Sequence, residues 1–169
     1  QAYSIIADYN GIDLPELIVK EGTWIKHKYT LSAEKFEKEV TLPGELNPIV
    51  RTYLGGVEFV GNEAVLLYHG DGRIVLNDGN RKQYKITDHL GNTVVLFEDK
   101  DNDGMINTES TLLEPEEEVE VLKRSFYYPF GMEWEGTWVG SVTQETPEMN
   151  YLYNGKELTT DGDLNWYEY

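Results

Sequence analysis

The sequence predicts an all-β fold: a meander of short antiparallel hairpins that forms a curved, twisted sheet, with little or no helix. Three observations predict it. Runs rich in β-branched and aromatic residues recur along the 169 residues, Gly, Asn and Asp separate them, and few windows show the apolar spacing of an amphipathic helix. A chain of this length can bury a core of its own. We therefore expect a single β domain over residues 1–169.

Each strand is predicted where alternating or β-branched residues are bounded by turn residues. The expected strands are Tyr3–Ala7, Glu16–Lys20, Thr23–Leu31, Lys35–Leu42, Ile49–Leu54, Val57–Val60, Ala64–Tyr68, Arg73–Leu76, Lys82–Asp88, Thr93–Phe97, Glu118–Tyr128 and Met149–Tyr153. One segment is ambiguous, because residues 32–39 begin with a good helix N-cap and contain good helix formers. We favour a strand there, since the segment is short and its neighbours are strands.

Four turn signals lie within a short stretch of the chain. Gly61-Asn62, residues 69–72, residues 77–80 and residues 89–92 all contain Gly together with Asn, Asp or His. Such residues adopt the positive φ that tight hairpins need. The middle of the chain is therefore predicted to be a run of hairpins.

The chain is strongly acidic, with 14 basic and 31 acidic residues and a formal net charge of −17. Binding to a nucleic-acid backbone requires a basic face, and none is visible, so nucleic acid is excluded as a partner. No apolar run reaches the roughly 20 residues that span a bilayer, so membrane insertion is not expected. Cysteine is absent, which excludes disulfides and thiolate metal sites.

Several strings, in this order, are typical of one family. They are residues 84–93 (YKITDHLGNT), 127–132 (YYPFGM), 151–158 (YLYNGKEL) and 164–169 (LNWYEY), preceded by residues 53–59 (YLGGVEF) and 70–74 (GDGRI). The chain resembles the Rhs repeat-associated core domain of YD-repeat proteins, in the form common in Bacteroidetes. The resemblance covers roughly residues 9–169 and makes the chain a truncated C-terminal portion of such a protein.

The resemblance implies a structural role. YD repeats form a sheet that spirals into a hollow shell, which encloses a toxin in some members and is displayed at the surface in others. Residues 1–50 would be a degenerate repeat region, and residues 51–169 the core-like region with an acidic loop at 99–117. The chain would be extracellular or on the bacterial cell surface, its main partner would be the rest of its own shell, and it would not be an enzyme. Self-cleavage is not carried over, because the family's cleavage motif would follow Tyr169.

The acidic loop contains a calcium-type spacing. Asp99, Asp101 and Asp103 stand at positions 1, 3 and 5, Gly104 at position 6, and Met105 could offer its carbonyl at position 7. Asn107 follows at position 9. Calcium takes six to eight hard oxygens, and this spacing lets alternate side chains converge on one point. The sequence therefore predicts a Ca²⁺ site whose ligands are Asp99, Asp101, Asp103, Met105 and Asn107, with Gly104 forming the turn.

An EF-hand is not predicted, because its position-12 Glu is Ser110 here and the flanks are strands. A remote carboxylate would have to complete the shell, and the candidates are Glu114, Glu116, Glu117, Glu118 and Glu120. The alternative is a solvated acidic turn without an ion, since Asp, Asn and Gly also dominate ordinary turns.

Aromatic residues of the second half offer another hypothesis. Trp134 and Trp138, with Tyr127, Tyr128 and Phe130 before them, could form an adhesion surface for a glycan or a protein. Strand edges left exposed by truncation could instead pair with another copy of the chain. The alternative is that these rings fill the faces of the sheet and pair across strands. His89 beside Asp88 could suggest a catalytic pair, but the local sequence favours a turn in which both side chains cap backbone groups.

Overall fold

The computed structural model describes residues 5–108, 119–134 and 150–168. Eleven strands form one sheet in which every strand is hydrogen-bonded to its neighbours in chain order, as β1 to β11. The strands are β1 (Ile5–Tyr9), β2 (Pro15–Lys20), β3 (Thr23–Tyr29), β4 (Lys35–Thr41), β5 (Ile49–Leu54), β6 (Val57–Val60), β7 (Glu63–His69), β8 (Gly72–Val75), β9 (Arg81–Thr87), β10 (Thr93–Phe97) and β11 (Val121–Arg124). The predicted all-β antiparallel meander is confirmed.

The four predicted turns connect consecutive strands. Gly61-Asn62 is a two-residue link from β6 to β7, and the links before β8, β9 and β10 fall at the other three signals. Gly61, Gly79 and Gly91 have φ values of 59°, 66° and 85°, and Asn80 has 58°. Left-handed backbone of this kind is accessible to Gly and Asn at little cost. The positions of Gly and Asn in the sequence therefore predicted the turns.

Residues 35–41 form the strand β4 rather than a helix, as predicted. Two strands were not predicted: β12 (Glu157–Thr159) and β13 (Trp166–Glu168), which pair with each other in a separate sheet. Each has three residues, too few to show a period of two. Around them lie two one-turn 3₁₀ segments, Tyr153–Gly155 and Asp161–Asp163.

The two predicted strands of the second half are only partly strand. The first is reduced to β11, and the second to an isolated bridge between Tyr151 and Glu157. Their predicted first residues, Glu118 and Met149, lie outside the described residues. In the part of the chain that is described, no helix is long and apolar enough to cross a membrane.

The chain divides into two compact units, residues 1–68 with 159–166 and residues 69–158 with 167–169. The single domain with a division at residue 50 remains a prediction. In the first unit the core consists of Ile18, Ile25, Val40 and Leu164. The side chains of β3 alternate as predicted, with Ile25 and His27 buried and the lysines between and after them exposed. Alternation of this kind places one face of a strand against a core.

Residues 159–166 complete that core from a distant part of the sequence. Leu164 is 8% exposed and packs with the β2–β4 residues. Lys38, which is 1% exposed, forms an ion pair with Asp161 at 2.8 Å and donates to Thr159 Oγ1 at 3.1 Å. Gly162 lies so close to β3 that an added Cβ would be 2.6 Å from Thr23 Oγ1. The Lys38–Asp161 ion pair and the close approach of Gly162 to Thr23 hold residues 159–166 on the first unit.

The second unit has an apolar core and a buried polar network. Leu96, Leu122 and Leu152 form the core, and Tyr127, Tyr151, Leu158 and Tyr167 pack against it. In the network Gln83 accepts from Arg73 Nε at 2.7 Å and donates to Glu98 at 3.1 Å. Arg81 also donates to Glu98, at 3.2 Å. Hydrogen bonding to charged partners is what allows these side chains to be buried in a sheet.

Candidate metal centre

The acidic loop follows β10 and is attached to the residue that leads into β11. Glu98 N donates to the Glu120 carbonyl at 3.0 Å, and Glu120 N donates to the Asn107 carbonyl at 2.9 Å. These two backbone bonds bring both ends of residues 99–107 next to Glu120. The position of the loop is therefore set by the end of the sheet.

Within the loop, each aspartate accepts a backbone N–H further along the chain. Asp99 Oδ2 accepts from Gly104 N at 3.1 Å, Asp101 Oδ1 from Asp103 N at 3.1 Å, and Asp103 Oδ1 from Met105 N at 2.7 Å. Gly104 has a φ of 82°, which reverses the chain at this point. Side-chain turns of this type are what Asp, Asn and Gly favour locally.

Glu120 closes the loop from the opposite side. It is 2% exposed, and its two carboxylate oxygens accept from Lys100 N at 2.5 Å and from Asn107 N at 3.0 Å. Of the five remote carboxylates considered, Glu120 is the one that the described residues include. The other four lie in 109–118, outside the described part.

Three carboxylates converge. One oxygen from each of Asp99, Asp101 and Glu120 lies within 4.8 Å of the other two. Calcium binds oxygen at roughly 2.3–2.6 Å, so two ligands on opposite sides of one ion are about 4.6–5.2 Å apart. The spacing of the three oxygens thus fits a common ion. Asp99 Oδ1 is buried and, among the described residues, has no hydrogen-bond partner.

The predicted ligands are only partly brought together. Asp99 and Asp101 belong to the converging group, whereas Asp103 does not. The Met105 side chain is 67% exposed, consistent with a residue that would contribute only its carbonyl. The main chain of Asn107 is held by both its N–H and its carbonyl to Glu120. The group therefore consists of two predicted residues and one remote carboxylate.

The aromatic residues divide into two sets. Tyr127 packs in the core of the second unit, while Phe126, Tyr128, Phe130 and Met132 are exposed. Trp134 is half-buried and makes an edge-on ring contact with Phe126, with ring centroids 6.2 Å apart. Trp138 lies outside the described residues. Phe126 and Met132 were missed by the sequence argument, although the alternation from 126 to 134 contains the signal.

Asp88 forms a turn, as the sequence favoured. Its Oδ1 accepts from Leu90 N at 2.8 Å and from Asn92 N at 2.9 Å, and its Oδ2 accepts from Asn92 Nδ2 at 2.7 Å. Desolvation opposes the charged form, but these hydrogen bonds outweigh it and lower the pKa of Asp88 below its ordinary value. The carboxylate therefore has the structural role of closing the β9–β10 link.

No protein-family model matches the chain, and no curated protein is significantly similar to it in sequence.

Proposed function

We propose that this chain is a structural segment of a secreted or cell-surface protein of the Rhs/YD-repeat kind. It would form a stretch of shell or scaffold sheet and would have no catalysis of its own. The observation that carries the proposal is the strand order, because each of the eleven strands from β1 to β11 is bonded to its sequence neighbours. A meander of this length is suited to building a wall, since any strand can be followed by another hairpin.

The strings that resemble the family coincide with turns and close packing. Residues 88–92 form the Asp88 turn described above, and residues 127–132 belong to a tight hairpin. The string at 151–158 contributes Leu152, which is 1% exposed, to the core of the second unit. These positions support the proposal because a repeat family conserves turn and core residues for packing rather than for chemistry.

Determining the coding sequence on both sides of this segment tests the structural proposal. Further hairpin repeats with Tyr, Asp and Gly before residue 1 are the expected result. A continuation that encodes a cleavage motif and an unrelated segment after residue 169 would extend the proposal to toxin enclosure. Flanks without any such repeat would contradict it.

The acidic loop is proposed to bind calcium, which would stabilise the sheet rather than take part in a reaction. Only oxygen ligands are present in the converging group, and hard oxygens favour Ca²⁺ or Mg²⁺ over softer metals. A loop of flexible side chains suits calcium better, because Mg²⁺ demands near-ideal octahedral geometry. An ion at this point would connect residues 99–107 to Glu120, next to the first residue of β11.

Thermal unfolding of the whole chain tests the calcium proposal. The expected dissociation constant is on the order of 10⁻⁵ to 10⁻³ M, as in extracellular modules. At a hundredfold excess of calcium the free energy of unfolding should rise by about 2.7 kcal/mol. Magnesium at the same concentration should give a smaller rise. A melting temperature that calcium does not change, relative to a chelated sample, would eliminate the site while leaving the structural proposal untouched.

A further inference from the structure

The links between the strands of the first unit divide into two groups. In an antiparallel meander, successive links lie alternately at the two ends of the sheet. The links that follow β1, β3 and β5 therefore share one end of this unit, and those that follow β2, β4 and β6 share the other. We call the first group the tip row and define it as residues 10–14, 30–34 and 54–56. Neighbouring tips are two strand spacings apart, which is roughly 10 Å.

Each tip of this row presents one exposed aliphatic side chain. Ile12 is 57% exposed, Leu54 is 70% exposed, and Leu31 is fully exposed. At the opposite end, the links Glu21-Gly22 and Gly61-Asn62 contain no aliphatic residue, and only the link at 42–48 does, with Leu46 the most exposed. The tip row is therefore the end of the unit at which every link is apolar at its most exposed point.

The backbone of two tips is hydrogen-bonded within its own turn. Asn10 Oδ1 accepts from Ile12 N at 3.0 Å and from Leu14 N at 3.1 Å. Thr30 Oγ1 accepts from Glu34 N at 3.2 Å. An N–H group that already has an internal partner loses less when water is removed from around it. These tips can therefore enter a less polar environment at a lower cost than an open loop.

A tyrosine precedes the aliphatic residue of each tip by one to three positions. Tyr9 is 54% exposed, the Tyr29 hydroxyl donates to the Pro15 carbonyl at 2.9 Å, and Lys35 Nζ lies 4.9 Å from the centre of the Tyr53 ring. Tyrosine is enriched at the headgroup level of membranes, where long lysine side chains also reach the polar layer. Aliphatic tips with tyrosines behind them follow the order of a membrane–water interface.

The spacing and charge of the tip row select the kind of surface that it fits. A protein interface needs a contiguous apolar core of several hundred Å², whereas these side chains are single and are separated by Gly, Thr and Ser. Fluid lipid closes around each tip separately and needs no complementary shape. Asp13 and Glu34 lie in the tips, and the net charge is −17, so an anionic surface would repel the chain. Zwitterionic lipid fits best.

We propose that the tip row is a contact surface for a zwitterionic lipid bilayer. Ile12, Leu31 and Leu54 enter as far as the boundary between headgroups and acyl chains, and the strands remain outside. Together these side chains have fewer carbons than one myristoyl chain, which gives an association constant on the order of 10⁴ M⁻¹. The binding is therefore weak and reversible. It goes beyond the structural role proposed above and does not depend on the strand repeat.

Flotation of the whole chain with phosphatidylcholine vesicles tests this proposal. The wild-type chain should float with the vesicles, and Leu31→Ser should weaken binding about tenfold, because one buried aliphatic side chain is lost. The matched control is Leu46→Ser, which removes a leucine that is 94% exposed at the opposite end and should leave binding unchanged. Phosphatidylglycerol in the vesicles should weaken binding at low salt, and added salt should restore it by screening the repulsion.

A dye on each end of the unit locates the contact without removing a leucine. Because the chain contains no cysteine, Ser32→Cys and Asn47→Cys each provide a single labelling site, beside Leu31 and Leu46 respectively. With a polarity-sensitive dye attached, phosphatidylcholine vesicles should shift the emission to the blue at position 32 and leave it unchanged at position 47.

Several outcomes would overturn the proposal. A chain that does not float with phosphatidylcholine would leave the tip row to a protein partner. Equal losses in Leu31→Ser and Leu46→Ser, or an equal blue shift at positions 32 and 47, would show that the tip row is not the contact. Binding that requires phosphatidylglycerol would assign it to charge rather than to the aliphatic tips. Chelator is present throughout, so calcium cannot bridge acidic residues to phosphate headgroups and the result is independent of the calcium proposal.

Discussion

One site in each compact unit shows a different way of balancing charge. In the first unit, the ammonium of Lys38 lies under residues 159–166 and meets the Asp161 carboxylate at 2.8 Å. In the second, Asp99, Asp101 and Glu120 bring three carboxylates within 4.8 Å of one another, in a stretch of sequence from 98 to 120 whose only basic residue is Lys100. The first site is an internal ion pair, whereas the second has the composition of a site for an external cation.

The carboxylate of Asp88 shows a further way of stabilising a negative charge. Asp88 is satisfied by backbone and side-chain N–H groups of its own turn. The comparison teaches that a carboxylate in this sheet is stabilised by a buried cation or by local amide donors, and that the three converging carboxylates would be stabilised by the proposed ion. The first and third solutions require residues that are distant in sequence, while the second needs only four consecutive positions after the Asp.

Removal of the Asp161 carboxylate should produce the largest change. In Asp161→Ala the buried Lys38 loses the carboxylate that lies 2.8 Å from its ammonium, and the free energy of unfolding should fall by about 3 kcal/mol. This is the low end for buried pairs, because the Asp161 side chain is 27% exposed. Urea unfolding with an unchanged m value measures it. Asp163→Asn, in the same 3₁₀ segment, should cost less than about 0.5 kcal/mol; equal losses in the two variants would show that the ion pair is unimportant.

Neutralising Glu120 should abolish most of the response to calcium. With Glu120→Gln, the calcium-dependent gain of about 2.7 kcal/mol at a hundredfold excess should drop below roughly 1 kcal/mol, because the remote ligand loses its charge. Differential scanning calorimetry with calcium or with chelator measures the gain. The control is Glu133→Gln, whose carboxylate pairs with Lys123 in the same unit and which should retain the full gain. A full gain in Glu120→Gln would remove Glu120 from the site.

Asp101→Asn should change stability in opposite directions with and without calcium. In chelator it relieves repulsion among the three carboxylates and should stabilise the chain by about 0.5–1 kcal/mol. With calcium it should reduce the gain. Asp103, which is outside the converging group, provides the control through Asp103→Asn, and its effect in chelator should be smaller. Destabilisation of Asp101→Asn in chelator would mean that the carboxylates do not repel and that an ion is not needed.

Protonation of Asp88 at low pH should have the smallest of these effects on stability. The pKa of Asp88 is lowered in the folded chain from an ordinary value of 3.8, so its contribution is present at neutral pH and is lost as pH falls below about 4 and through the folded pKa. Urea midpoints between pH 5 and pH 2.5 should therefore fall less steeply for Asp88→Asn than for the wild type. Asp71→Asn, in the link before β8, should keep the wild-type slope.

Much of the site could be predicted because its parts are local. The order Asp99, Asp101, Asp103, Gly104 determines the backbone turns of the loop, and the structure contains the corresponding hydrogen bonds. The sequence predicted less completely which carboxylates come together at the site. Five glutamates were equally available by sequence. Glu120 lies beside the loop because of the backbone pairing between Glu98 and Glu120, which is a contact between residues 22 positions apart.

By itself, the sequence determined the strands β1 to β10, the turns between them and the acidic loop, because alternation and positive-φ residues act over a few neighbouring positions. Only the tertiary structure decided that residues 159–166 cover Lys38, that Glu120 joins Asp99 and Asp101, and that Tyr127 packs against the core while Phe130 is exposed. Each of these three arrangements brings together segments that are distant in sequence or selects one face of a segment. Neither produces a pattern among neighbouring residues. Burial and charge balance select among many such arrangements, and they act only once the sheet is formed.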